Sequence, residues 1–150
     1  MTRIGLISDT HSYLDDAVFE HFATCDEVWH AGDFGDIKVA NALKAFKPLK
    51  GVYGNIDGQD IRTEYSEYLK FNCEKVKVWM THIGGYPGKY NPKIREELFQ
   101  EQPDLFICGH SHILKVIYDK KISCLHLNPG AAGKYGWHKV RTKLRLTISE

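Results

Sequence analysis

Groups that can donate a lone pair to a cation recur in one setting along this chain: Asp9 and His11 in "SDTH", Asp33 in "AGD", Asn55 in "YGN", His82 in "MTH", and His110 and His112 in "CGHSH". Each segment follows an apolar run. A solitary loop histidine is usually a surface or hydrogen-bonded residue, and Gly-Asp and Gly-Asn are ordinary turn dipeptides. Seven such residues, all placed just past apolar runs, exceed what turn chemistry needs. A mixed set of imidazole, carboxylate and amide oxygen suits borderline cations such as Mn²⁺, Fe²⁺, Zn²⁺ or Ni²⁺. Calcium would ask for more oxygen, and structural zinc for thiolate.

The apolar runs read as strands that alternate with amphipathic helices. "RIGLIS" is a buried strand, followed by helical spacing of Val18, Phe22 and Cys25 through Asp15 to Thr24. "EVWHAGD" and "LKGVYGN" are the next two strands, with Val39, Leu43 and Phe46 as the apolar face of the helix between them. Strand then helix, twice over, implies parallel pairing with right-handed crossovers. Thr63 to Thr81 reads as two β-rich stretches forming a hairpin around Asn72 and Glu74. A third helix is capped by Asn91 with Pro92 in its first turn and Ile94 and Leu98 facing inward. "PDLFICGH" is another buried strand, and "LKVIYDKKISCLHLNP" and "GWHKVRTKLRLTISE" alternate like antiparallel strands with "YDKK" as a turn. Ligands of open α/β sheets bind beyond the carboxyl ends of the strands, where these polar residues lie.

Composition narrows the context. The 150 residues fit a single domain spanning 1–150, and a 43% apolar, 26% charged chain with a formal net charge of +1 is an ordinary globular one with no general attraction for polyanions. Nucleic acid is therefore not an expected partner. Cys25, Cys73, Cys108 and Cys124 are dispersed without a CxxC pair, which excludes a zinc ribbon and a dithiol motif. "MTRIGLISDTH" matches neither a secretory leader nor a membrane span, so a cytoplasmic, membrane-free setting is expected.

In their order, "DTH", "GD", "GN", a lone His and "GHSH" resemble the signature of the calcineurin-like metallophosphoesterases, and "NPGAAG" at Asn128 is similar to the "NPGS" stretch of the small prokaryotic phosphodiesterase branch. The resemblance implies an α/β fold, a four-layer α-β-β-α sandwich of two mixed sheets flanked by helices. It also implies two divalent metal ions, Mn first, with Fe, Zn, Ni, Co or Mg compatible. By motif, Asp9, His11 and His112 would hold one ion, Asn55, His82 and His110 the other, and Asp33 would bridge them. The implied activity is phosphodiester hydrolysis of a small phosphate ester by in-line attack of a metal-bridging hydroxide, with Asp33, Asn55 and His82 as the catalytic set. Two divalent ions bring four positive charges and Asp9 and Asp33 remove two, so the surplus favours an anion.

Neighbouring residues extend this picture. His30 reads either as holding a ligand in place or as a buried structural histidine, and Asp57 as orienting a ligand or capping a turn, whereas His21, His126 and His138 belong to no ligand motif and read as structural or exposed. Many relatives carry "HGH" where this chain has "THIGGYPGKYNP", whose Tyr86 and Tyr90 could stack on a base or aryl group, Tyr86 being the expected substrate contact along with Asn55. Phosphomonoesterase relatives often place a His directly after the "GN" Asn. Here Ile56 stands there and can donate no proton, which points to diesters with acidic leaving groups. The alternatives are a phosphomonoesterase or nuclease of the same fold, or a noncatalytic protein-binding scaffold like the retromer subunit of this fold. The complete ligand set argues against the scaffold, and the lack of a basic stripe and of extra length argues against the nuclease. A homodimer is compatible with the aromatic residues of the C-terminal strands.

Overall fold

Along the first strand, Ile4 and Leu6 enter one apolar cluster and Ile7 another, the two-residue alternation of a strand buried on both faces. The computed structural model describes residues 1–149. In chain order its elements are β1 (Thr2–Ile7), α1 (Asp16–His21), β2 (Glu27–His30), α2 (Ile37–Phe46), β3 (Leu49–Gly51) and α3 (Gln59–Glu64). There follow β4 (Tyr68–Cys73), β5 (Val76–Thr81), β6 (Gly85–Tyr86), β7 (Lys89–Tyr90), α4 (Pro92–Glu101), β8 (Leu105–Ile107), β9 (Leu114–Asp119), β10 (Cys124–Pro129) and β11 (Leu144–Ile148).

Both main sheets are mixed. The first has the order β11-β1-β2-β3, with β1, β2 and β3 parallel and β11 antiparallel to β1. The second has the order β4-β5-β8-β10-β9, with β5, β8 and β10 parallel inside two antiparallel edges. Ile4, Leu6 and Trp29 of the first sheet share a core with Met80, Ile107 and Leu127 of the second. Val18, Val39, Leu43 and Ile61 of α1 to α3, with Phe22 just past α1, cover the outer face of the first sheet, and Ile94 and Leu98 of α4 pack with Trp79 and Phe106 on the outer face of the second. The result is four layers, α-β-β-α. Each fully buried large apolar side chain contributes about 1.5 to 3 kcal/mol through its lost water contact. Asp15, Asp36 and Asn91 cap α1, α2 and α4 by accepting backbone N–H bonds, with Pro92 starting α4.

Three expectations need correction. The stretch from Thr63 does not begin as strand: Gln59–Glu64 is helical with Ile61 buried, and the hairpin starts at Tyr68. Six residues give too little periodicity to announce a helix. The tail forms a strand only over Leu144–Ile148; residues 134–143 are an irregular strap with Gly136 at φ +128°. "GGYPGKY" folds into the small β6–β7 hairpin, where Tyr90 is buried and donates its hydroxyl to Asp119 at 2.6 Å, so it offers no free face for stacking. Among the described residues no helix is long and apolar enough to cross a membrane.

Candidate metal centre

Five parallel strands deliver the seven candidate ligands to one rim. Asp9 and His11 follow β1, Asp33 follows β2, Asn55 follows β3, His82 follows β5, and His110 and His112 follow β8. Among the described residues nine non-glycine positions have positive φ, and five of them are Asp9, His11, Asp33, His110 and His112. Left-handed backbone is costly for such residues and persists only where surrounding bonds enforce it. Those bonds are present: the amides of Asp9, His11 and Ser12 donate to the carbonyls of Gly32, Asp33 and Phe34 at 2.9, 3.0 and 2.8 Å, lacing the first loop to the second. The His110 amide donates to Asp9 Oδ2 at 3.1 Å, joining loops 101 residues apart in sequence.

The side chains converge as two groups, Asp9 with His11 and His112, and Asp33 with His82 and His110, the potential ligand atoms of each lying within 4.8 Å of one another. Asp33 Oδ2 sits between the groups, 3.4 Å from His11 Nε2 and 3.1 Å from His82 Nε2. Asp9 Oδ1 lies 3.2 Å from His112 Nε2, 3.7 Å from His82 Nε2 and 3.9 Å from His11 Nε2. Asn55 Oδ1 accepts from His110 Nδ1 at 3.0 Å, which brings the amide into the second group.

With that geometry in view, similarity to known proteins is informative. A family model described as the calcineurin-like phosphoesterase superfamily domain matches residues 2–150. The chain belongs to this superfamily. A relative from Methanothermobacter thermautotrophicus named "Probable metallophosphoesterase" is 31% identical over 136 residues, covering 85% of this chain and 76% of the relative. Among solved structures, Vps29 of Chaetomium thermophilum superposes with a TM-score of 0.81 at 15% identity over 99% of this chain and 83% of that one. A structure described as a novel archaeal phosphodiesterase gives 0.72 at 23% identity over 97% and 93%. At these identities the two structures show the fold.

Calcineurin-like phosphoesterases are metal-dependent, and the residues here fit a cation. Asp9 Oδ1, His11 Nε2 and His82 Nε2 are buried without a hydrogen-bond partner. Orphaned polar atoms of this kind cost about 1 to 3 kcal/mol each, a cost that a bound ion offsets. His82 Nδ1 lies 2.7 Å from the Ala31 carbonyl, which only accepts, so Nδ1 donates there and Nε2 is the atom turned toward the other ligand candidates; burial opposes a charge on this ring, but the neighbouring Asp33 and Asp9 carboxylates raise its pKa. Burial lowers the pKa of His11 and of His110, keeping both imidazoles neutral. Burial opposes the charge on Asp33, but the adjacent His82 imidazole and the hydrogen bond from the Ile56 amide hold its carboxyl below the ordinary value. The Asp9 carboxylate, 3.2 Å from Nε2, raises the pKa of His112.

Holding residues surround the phosphoesterase rim. Asp57 accepts from the amides of Asp33, Phe34 and Gly35 at 3.0, 3.2 and 2.9 Å and of Gly54 at 2.8 Å, shaping the loops that carry Asp33 and Asn55. His30 Nδ1 accepts from the Gly32 amide at 3.0 Å while Nε2 meets Thr10 Oγ1 at 3.0 Å, and burial pushes its pKa down to about 3. Asn128 donates to the Gly109 carbonyl at 3.0 Å, steadying the loop with His110 and His112. A Cβ on Gly54 would lie 2.1 Å from Asp33 Oδ1, so the loop needs glycine there.

Sequence reasoning misplaced part of the surroundings. Tyr86 lies beneath Lys115, 3.7 Å from Nζ to the ring centre, and lines neither of the two cavities beside the centre. Residues of the strap lie beside the candidate ligands instead: Tyr135 lies over His11 with ring centres 4.9 Å apart, and His138 meets His112 edge-on at 5.3 Å. His138 is thus not remote from the ligand motifs. No periodic pattern marks this segment, and its aromatic, basic composition was the available signal.

Proposed function

We propose that the protein is a phosphodiesterase for small phosphate esters that works with two divalent cations, manganese first among Mn, Fe, Zn, Ni, Co and Mg. Asp9, His11 and His112 would hold one ion, Asn55, His82 and His110 the other, and Asp33 both. The observation that carries this reading is the set of three buried, unpartnered ligand atoms, Asp9 Oδ1, His11 Nε2 and His82 Nε2, two of which flank Asp33 Oδ2. When bound, paired ions supply Lewis acidity toward water and toward the nonbridging oxygens of a phosphate. The chain's own residues set the geometry: the Ala31 carbonyl fixes the His82 ring, Asp57 fixes the Asp33 loop, and Asn55 and His82 stand where they can orient the ester.

Ile56 argues for diesters over monoesters. It is exposed beside Asn55, its amide donates to Asp33 Oδ1 at 3.1 Å, and its side chain has no proton for a departing alkoxide. Acidic leaving groups should therefore be favoured, and the archaeal phosphodiesterase of the same fold is in keeping with that chemistry. We also read residues 1–150 as one domain, because the two sheets share a core, and the four free cysteines accord with a cytoplasmic setting.

The test is metal analysis of purified protein followed by hydrolysis of nitrophenyl and alkyl diesters and monoesters with each candidate metal. The expected outcome is two ions per chain, a steep dependence on leaving-group pKa, and a flatter one in Ile56→His. Asp33→Asn should lose both ions and more than about 100-fold in turnover. An Asp33→Asn protein with two ions and full activity would falsify the shared-ligand assignment. Metal-loaded protein that cleaves no ester would favour a protein-binding scaffold.

A further inference from the structure

Beside the metal centre lies a cavity of about 720 Å³, walled on one side by His110, His112 and Ile113 and on the other by Tyr135, Trp137 and His138. Two of its lining residues, His110 and His112, are candidate ligands, so the cavity adjoins the centre. Trp137 is fully exposed, whereas Trp29 and Trp79 are buried. Tyr135 is 69% exposed although one part of its ring rests against His11. Large aromatic surfaces left in water beside a concave site mark a place for an apolar partner. The strap that carries them is fixed: a Cβ on Gly136 would fall 2.2 Å from His112 Nδ1, so the aromatic pair and the ligand loop are packed backbone to ring.

Charge specifies the rest of the ligand. No Asp or Glu occurs from residue 120 to 149, while Lys134, Lys139, Arg141 and Lys143 follow one another along the strap, Arg141 pairing with Asp15 at 3.0 Å. Lys134 Nζ lies 4.3 Å over the Tyr13 ring, next to the loop of His11. Aromatic faces interleaved with cations, next to a centre that two divalent ions would leave with surplus positive charge, suit a planar ring attached to a phosphoryl group.

We propose that Trp137, Tyr135 and Ile113 form a subsite for a planar aromatic substituent, aryl or nucleobase, on the ester whose phosphoryl group sits at the metal centre. This rests on the phosphate-ester reading above and adds the substituent that the site selects. Stacking on Trp137 holds that substituent, and the strap's cations favour its anionic neighbour.

Trp137 supplies its own probe, since it is the exposed indole among three. Metal-loaded protein is titrated with phenylphosphonate, an adenine nucleoside phosphonate and methylphosphonate, none of which has a scissile ester. Exposed-indole emission is followed, and affinities are measured by calorimetry and as inhibition constants. The two aromatic phosphonates should quench, and methylphosphonate should not. Greater affinity for the adenine compound would identify a nucleobase, and equal affinity a general aryl site. Trp137→Ala, at a fully exposed position, should weaken the aromatic phosphonates about tenfold, within the range for a stacked ring, and leave methylphosphonate unchanged. Equal binding of phenyl and methyl phosphonates, or unchanged phenylphosphonate affinity in Trp137→Ala, overturns the subsite while metal-dependent hydrolysis still stands. Trp137 shielded from acrylamide in a self-associated protein without ligand also overturns it. Aromatic quenching in a protein that hydrolyses no ester keeps the subsite and removes the phosphodiesterase reading.

Discussion

Asp57 points no free oxygen at the candidate ions, yet it accepts four backbone N–H bonds from the two loops that present Asp33 and Asn55. An isosteric amide would turn one acceptor oxygen into a donor facing donors. Asp57→Asn is therefore expected to lower metal affinity by about 10- to 100-fold with the fold retained, measured by competition with a chelator alongside circular dichroism; unchanged affinity would show that the loops hold without it. The seven ligand candidates, which the structure brings to one rim, were legible because each sits in a short motif after a strand, and Asp57 was legible only as a residue that orients a ligand or caps a turn. His138 was not, because its place beside His112 depends on a strap whose path follows from Gly136 and from packing, neither of which leaves a periodic trace.

At the scale of elements, strands and longer helices announced themselves through apolar spacing, and Asn91 with Pro92 marked the start of α4. The β6–β7 hairpin did not, since a Gly/Pro-rich turn reads the same whether its tyrosines are buried or free. The interface of β10 with α4 and its neighbours carries a testable consequence. His126 is fully buried next to Phe106 and Tyr90, its Nδ1 has no partner, and burial pushes its pKa down to about 4, with nearby Lys115 acting in the same direction. The folded protein prefers this imidazole neutral, whereas the unfolded chain protonates it near its ordinary value of 6.5. Its contribution is complete above pH 6.5 and is lost as pH falls toward about 4, a total of roughly 3 kcal/mol. Urea denaturation between pH 7 and 4 should show a shallower loss of stability for His126→Phe than for wild type. Parallel curves would mean that this histidine does not drive the acid response.

For the whole molecule, each candidate ion draws on both sheets: Asp9 and His11 come from the first and His112 from the second, and likewise Asp33 and Asn55 against His82 and His110. Bound metal would pin the layers together at one rim. Ligands that bind only the folded state stabilise it by mass action, about 4 kcal/mol at a thousandfold excess over the dissociation constant, or on the order of 10 °C for a chain of this size. Chelation should lower the melting temperature by such an amount, re-addition of Mn²⁺ should restore it, and Asp33→Asn should abolish the difference. A melting temperature indifferent to chelator would separate the rim from any stabilising ion.

The pairing of Thr2 with Ile148 places β11 against the outer edge of β1, so the first sheet is sealed by a segment from the opposite end of the sequence. During synthesis β1, β2 and β3 emerge early, and the flank of β1 faces solvent until Leu144–Ile148 has been made. An open strand flank of this kind invites pairing with another nascent chain. A version stopped after Lys143 should accumulate as light-scattering aggregates, and supplying the Leu144–Ile148 peptide in trans should reduce them.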